Sequence, residues 1–188
     1  SIHFMESPDE LQLYRGEGSL AAWYERMGWQ CDFLHYATPT ERITNSIARD
    51  RRVVLVHGCE ATAEDISAIN SHFTTPVTWV LCPESNRYIS GCRPPVDMLR
   101  AMGSHIAIGT DSLASARGLS MVDNMHFLSD MPLAEVLCWA TKNGAEAMGL
   151  SSTLGTIEIG KRPGLVIVRD VDLHNMRLTA ESQTYRIL

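Results

Sequence analysis

Ile106-Ala107-Ile108-Gly109-Thr110-Asp111-Ser112 is the stretch from which the rest of the chain becomes readable. The apolar triplet reads as a short buried strand, and Asp111 follows within three residues of its end. A carboxylate in that place sits where a parallel α/β barrel keeps its chemistry, at the C-terminal ends of the strands. Two other apolar runs end in a similar way. Val53-Val54-Leu55-Val56 leads straight into His57, and the chain opens Ile2-His3-Phe4-Met5-Glu6. His3 and His57 are 54 residues apart, and so are His57 and Asp111. One histidine at a strand end is usually structural. Two histidines and an aspartate at three evenly spaced strand ends read as parts of a metal site on one rim.

Between these strand ends the periodicity is helical. Ser7-Pro8-Asp9-Glu10 has the form of a capping box with Pro at the first helical position, so a helix is expected directly after the His3 strand. Leu20, Trp23, Tyr24 and Met27 recur at helical spacing before Gly28, which suits a helix end, and the aromatics read as helix core. Further helices are expected over residues 40–49, from Thr62-Ala63-Glu64-Asp65 onward with Ile66 and Ile69 facing inward, and over residues 96–102. Residues 77–81 supply one more strand. Strands alternating with helices at this spacing indicate parallel βα units. Beyond Asp111, residues 119–128 and 133–148 read as helices. From Gly155 the pattern turns strand-like, with Leu165-Val166-Ile167-Val168 its strongest run. The expected division is a barrel portion over residues 1–150 and a β portion over residues 151–188.

Bulk properties narrow the function. The 188 residues can bury a substantial core but fall short of the roughly 250 typical of a complete eight-stranded barrel. With 16 Lys and Arg against 22 Asp and Glu, the net charge of −6 argues against nucleic-acid or anionic-membrane binding as the main activity. No apolar run approaches a membrane span and no signal-peptide pattern is present. Cys31, Cys59, Cys82, Cys92 and Cys138 are an odd set without zinc-finger or redox spacing, which suits reduced thiols in the cytoplasm. The chain begins within four residues of a strand-end His and reads as the C-terminal part of a longer protein.

The motifs resemble the amidohydrolase superfamily of metal-dependent hydrolases, in particular its branch of cytosine-, guanine- and adenosine-type deaminases and chlorohydrolases. The resemblance is carried by His3-Phe4-Met5-Glu6-Ser7, Val56-His57-Gly58, Cys82-Pro83-Glu84-Ser85-Asn86 and Gly109-Thr110-Asp111-Ser112-Leu113-Ala114-Ser115. Ala140-Thr141-Lys142-Asn143-Gly144-Ala145 and Gly155-Thr156-Ile157-Glu158-Ile159-Gly160-Lys161 extend it. It implies an α/β fold, the C-terminal half (strands five to eight) of a (β/α)8 TIM barrel, followed by the C-terminal strands of a small β-sandwich. It also implies one divalent metal, zinc with iron as the alternative. A His-x-His pair on the family's first strand has no counterpart in this chain.

Site roles follow from the same resemblance. His3 and Asp111 match metal ligands, and Asp111 also matches the base that takes the proton of the attacking water. His57 corresponds to a residue that hydrogen-bonds that water in one-metal deaminases or binds a second metal in two-metal members. Glu6 matches the proton-shuttling Glu of the deaminases, which must protonate a ring nitrogen before water adds; otherwise it is a first-turn helix charge. Ser85 and Asn86 match a Pro-x-Ser-Asn loop that supports the site, and Ser115 is a substrate contact or a helix cap. Arg87 and Arg93 read as solvated surface groups. His35, His72, His105, His126 and His174 match no ligand position.

The resulting expectation is hydrolytic deamination of an amino-substituted nitrogen heterocycle, a purine, pyrimidine or nucleoside derivative, by metal-activated water. The alternatives are a chlorohydrolase or cyclic-amide hydrolase of the same superfamily, or a non-catalytic barrel relative. By itself the 188-residue chain is expected to be inert and to hold metal weakly, and to pair with another copy or with an N-terminal half through its open strand edges.

Overall fold

Local signals place most of the βα boundaries. The computed structural model describes residues 1–187. Strand β1 (Ile2–Phe4) is followed by helices α1 (Pro8–Leu13), α2 (Gly18–Arg26) and α3 (Pro39–Ser46). Strand β2 (Val54–His57) leads to α4 (Ala63–His72), and β3 (Thr78–Leu81) to α5 (Pro83–Ile89) and α6 (Val96–Ala101). Strand β4 (His105–Ile108) leads to α7 (Met121–His126) and α8 (Leu133–Cys138). A π-helical turn at Trp139–Asn143 then joins α8 to α9 (Gly144–Ala147), and β5 (Val166–Asp172) and β6 (Arg177–Arg186) close the chain.

Strands β1 to β4 form one sheet in sequence order, with β1 and β2 parallel and His3 opposite Val56. Helices separate each consecutive pair, the α/β arrangement expected from the sequence. No helix among the described residues is long and apolar enough to cross a membrane.

Two compact units make up the chain, one of residues 1–79 and 90–105 and the other of residues 80–89 and 106–188. In the first, Phe4, Leu55, Ile66, Ile69, Val96 and Leu99 are all but fully buried, and the Phe4 ring meets Trp79 edge-on at 5.9 Å. Each such side chain contributes about 1.5–3 kcal/mol by leaving water. Asn70 lies between two partners, accepting from the Trp79 indole at 3.2 Å and donating to Ser104 at 3.0 Å. In the second unit Leu81, Ile106, Leu128 and Val136 form the buried centre.

The structure corrects several expectations. Thr62 and Asp65 form a complete capping box on α4, but Ser7 makes no side-chain cap on α1. Glu10 instead reaches one residue further back and accepts from the Glu6 N–H at 3.1 Å. Pro83-Glu84-Ser85-Asn86 is not a loop but the first turn of α5, because Pro at the start of a helix surrenders only an N–H that has no partner there. Trp23, expected in the helix core, lies outside it, as does Trp29 beside it. They are 37% and 49% exposed and pack on each other with ring centroids 4.8 Å apart.

The long helix expected over 133–148 is interrupted by its π turn. There the Thr141 hydroxyl bonds the Leu137 carbonyl at 2.6 Å, competing with the backbone ladder, and Asn143 donates to the Ile106 carbonyl of β4 at 2.7 Å. Strand structure begins at Val166, not at Gly155. Strands β5 and β6 pair antiparallel, with a register shift between Arg169 and Val171 where Asp170 takes a φ of +57°.

Candidate metal centre

His3, Glu6 and His57 come together in the first unit. His3 rides on β1 and His57 ends β2, and the parallel register sets Phe4 opposite His57. The two imidazoles meet edge-on, His57 Nε2 lying 3.3 Å from His3 Nδ1. Glu6 extends a carboxylate to both, with Oε1 3.5 Å from His57 Nε2 and Oε2 3.9 Å from His3 Nδ1. The His57 side chain is fully buried, Glu6 is largely so, and His3 is 61% exposed. One donor atom from each of the three lies within 4.8 Å of the others. Two imidazoles and a carboxylate form a set that suits zinc or iron, though it is not the His3 and Asp111 pair expected from the sequence.

Asp111 lies in the second unit. It follows β4, and its Oδ2 lies 2.6 Å from Ser85 Oγ on α5 and 3.0 Å from Ser115 Oγ, the two hydroxyls being 2.8 Å apart. Ser85 and Ser115 are buried. A carboxylate that accepts from two hydroxyls is fixed in orientation, which a metal ligand or a base requires. Asn86 is fully buried on α5. Ser115 also lines a cleft of about 1000 Å³ with Glu84, Arg87, Arg117, His126 and Phe127. Arg87 lies over the Phe127 ring at 5.6 Å, so it is not merely solvated surface.

The non-ligand histidines for which bonds are seen are structural. His72 reaches the Ile47 carbonyl, His105 the Thr78 hydroxyl and His126 the Thr179 carbonyl. Sequence reading missed two acidic residues. Glu84 is buried and accepts the Arg117 N–H at 3.0 Å, and within its Cys82–Asn86 motif only Ser85 and Asn86 were singled out. Glu10 was visible only as a helix cap. Burial holds its carboxyl above the usual range, against the lowering effect of the Glu6 and Met5 N–H groups.

Backbone strain accumulates at these strand ends. Met5, His57 and Asp111 adopt φ values of +48°, +78° and +57°, in the left-handed region that non-glycine residues avoid. Such conformations cost about 1–3 kcal/mol each and persist where surrounding structure fixes them, commonly at functional sites. Gly58 continues the bend after His57 at φ +63°, and a Cβ there would lie 3.0 Å from the Trp79 ring. Gly58→Ala is therefore expected to destabilise the fold by about 1–3 kcal/mol in denaturant unfolding. An unchanged unfolding midpoint would show that the bend carries no strain.

Residues 30–183 match the model of the amidohydrolase family. The chain belongs to the amidohydrolase family. His57, Ser85, Asn86, Asp111 and Ser115 lie inside the matched span, while His3 and Glu6 precede it. A 5-methylthioadenosine/S-adenosylhomocysteine deaminase of Thermoanaerobacter pseudethanolicus is 30% identical over 149 residues, covering 73% of this chain and 34% of the relative. Among solved structures, Helicobacter pylori aminofutalosine deaminase in complex with methylthio-coformycin superposes with a TM-score of 0.73 at 30% identity, covering 86% of this chain and 41% of that one. An adenosine deaminase from Xanthomonas campestris with bound zinc gives a TM-score of 0.67 at 26% identity, over 88% of this chain and 36% of that one. This amidohydrolase chain thus spans between a third and about two fifths of the relatives it matches.

Proposed function

We propose that this chain is the C-terminal half of a hydrolytic deaminase that acts on an amino-substituted purine, pyrimidine or nucleoside derivative. The observation that carries the reading is the Glu6 carboxyl set between two histidines, 3.5 Å from His57 and 3.9 Å from His3. A hydrolase that expels a good leaving group has no need of an extra carboxyl there. Deamination does, because a ring nitrogen must gain a proton before water adds to the neighbouring carbon. The deaminase names of the similar proteins support the same reading.

His3 and Asp111 would hold one zinc, with iron as the alternative. When bound, the metal supplies a Lewis acid that brings the pKa of water down toward 7. Asp111, oriented by the Ser85 and Ser115 hydroxyls, takes the proton from the attacking water. His57 hydrogen-bonds that water and, as the carbon becomes tetrahedral, the oxygen the water brings to it. Glu6 delivers its proton to the ring nitrogen, the proton that Asp111 took passes to the exocyclic amine, which leaves as ammonia, and the hydroxyl proton returns to Glu6 as the carbon becomes a carbonyl. Asn86 supports the α5 end of the site. In this reading β1 to β4 are strands five to eight of the barrel, residues 151–188 complete a small sandwich, and the outer edges pair with an N-terminal half. Cysteines in the reduced state accord with a cytoplasmic protein.

The test is ammonia release by the full-length, zinc-loaded protein across a panel of aminopurines, aminopyrimidines and their nucleosides. Turnover of at least one of them is expected. Turnover confined to cyclic amides or chlorinated triazines would overturn the reading.

A further inference from the structure

Glu6 follows a residue whose backbone is strained, and its placement therefore needs a cause. Met5 is buried and holds φ at +48°, a conformation that survives only where its surroundings fix it. The carbonyls on this turn are engaged from one side: Phe4 O accepts from Gly58 N at 2.9 Å and Met5 O from Glu60 N at 3.0 Å. The Glu6 N–H goes to a side chain instead. Glu10 Oε2 accepts from Glu6 N at 3.1 Å, and the Met5 N–H is near enough to the same carboxyl to lower its pKa. Arg42 lies close enough to attract that carboxylate, and its Nη1 donates to the Tyr14 hydroxyl at 3.4 Å.

We propose that Glu10 is the positioning residue for Glu6, its carboxylate accepting from the Glu6 N–H so that the turn after β1 points the Glu6 carboxyl at His3 and His57. This rests on the deaminase reading for its catalytic consequence, though not for its geometry. A carboxylate at this place is costly to bury, and an ordinary capping box would have bonded Ser7 N instead. The one-residue displacement toward Glu6 is what gives Glu10 a role beyond ending a helix. Glu10 touches no substrate and moves no proton; it acts only through the backbone of Glu6.

Three variants of the full-length, zinc-loaded protein test this. Glu10→Gln keeps an oxygen acceptor at the same reach, Glu10→Asp keeps the charge but withdraws it by one methylene, and Glu10→Leu removes the acceptor. Two readouts are taken: kcat and KM for ammonia release, and hydrogen exchange of the Glu6 amide. Glu10→Leu and Glu10→Asp are expected to lower kcat by about 100-fold, the scale of an ångström-sized misplacement, with KM changed less than about threefold. Their Glu6 amides should exchange faster. Glu10→Gln should restore kcat to within about fivefold and keep the Glu6 amide protected.

Should Glu10→Leu fail to fold, the contrast between Asp and Gln decides the matter alone. Equal kcat in Asp and Gln variants, or faster exchange without loss of kcat, would overturn the proposal. If the wild-type protein deaminates nothing, the function fails, and amide exchange still decides whether Glu10 holds the turn.

Discussion

Asp111→Asn in the full-length protein is expected to lower kcat for ammonia release by at least about 10³-fold and to reduce the zinc retained after dialysis. Removing one positioned general base costs about 10²–10⁴-fold by itself, and here the same carboxylate is also read as a metal ligand. The surroundings leave the amide no neutral way to fit. Ser85 and Ser115 place their hydroxyls 2.6 and 3.0 Å from Asp111 Oδ2. If the Asn oxygen faces them, its NH2 group faces the cation. If the NH2 faces them, both hydroxyls must give up donating to it. Neither orientation supplies an anionic oxygen. Kinetics and elemental zinc analysis on the same preparation check this, with circular dichroism to show that the fold survives. Retention of both wild-type turnover and zinc would remove Asp111 from the centre.

What the sequence disclosed follows from the range of the physics involved. Strand ends with chemistry on them were legible, because an apolar run meeting His57 or preceding Asp111 is a local pattern. So were α3 and α4, whose Thr38 and Thr62 hydroxyls cap the backbone three residues on. The misreadings arose where distant groups competed with local ones. Glu10 had the spacing to bond Ser7 N, and only the left-handed turn at Met5 brings Glu6 N into its reach. The helical period through residues 133–148 gives no sign that Asn143 will bond the carbonyl of Ile106 and leave a π turn behind. The Leu20, Trp23 and Tyr24 spacing was right for a helix face, but amphipathic spacing does not reveal whether anything covers that face. Of the candidate groups, His57, Glu6 and Asp111 could be picked out as residue types at positions. Their setting was not: the strained φ values and the paired hydroxyls on Asp111 are tertiary features with no signal in one sequence.

Glu6→Gln should separate proton delivery from metal binding. Gln has the shape of Glu and can bond the same two histidines, so the fold and the turn after β1 should persist. It has no carboxyl proton to give. The full-length Glu6→Gln protein is expected to lose about 10²–10⁴-fold in kcat, the range for a general acid, with KM little changed and zinc fully retained. This is the opposite signature to Asp111→Asn, where zinc and turnover fall together. The distinction matters because the geometry alone permits a second arrangement: His3, Glu6 and His57 present three ligand atoms within 4.8 Å and would serve equally well as a metal set. Under that arrangement Glu6→Gln loses zinc in proportion to activity, and added zinc restores part of the rate. If Glu6 is the proton carrier, added zinc restores nothing, because the missing component is an acid and not a ligand.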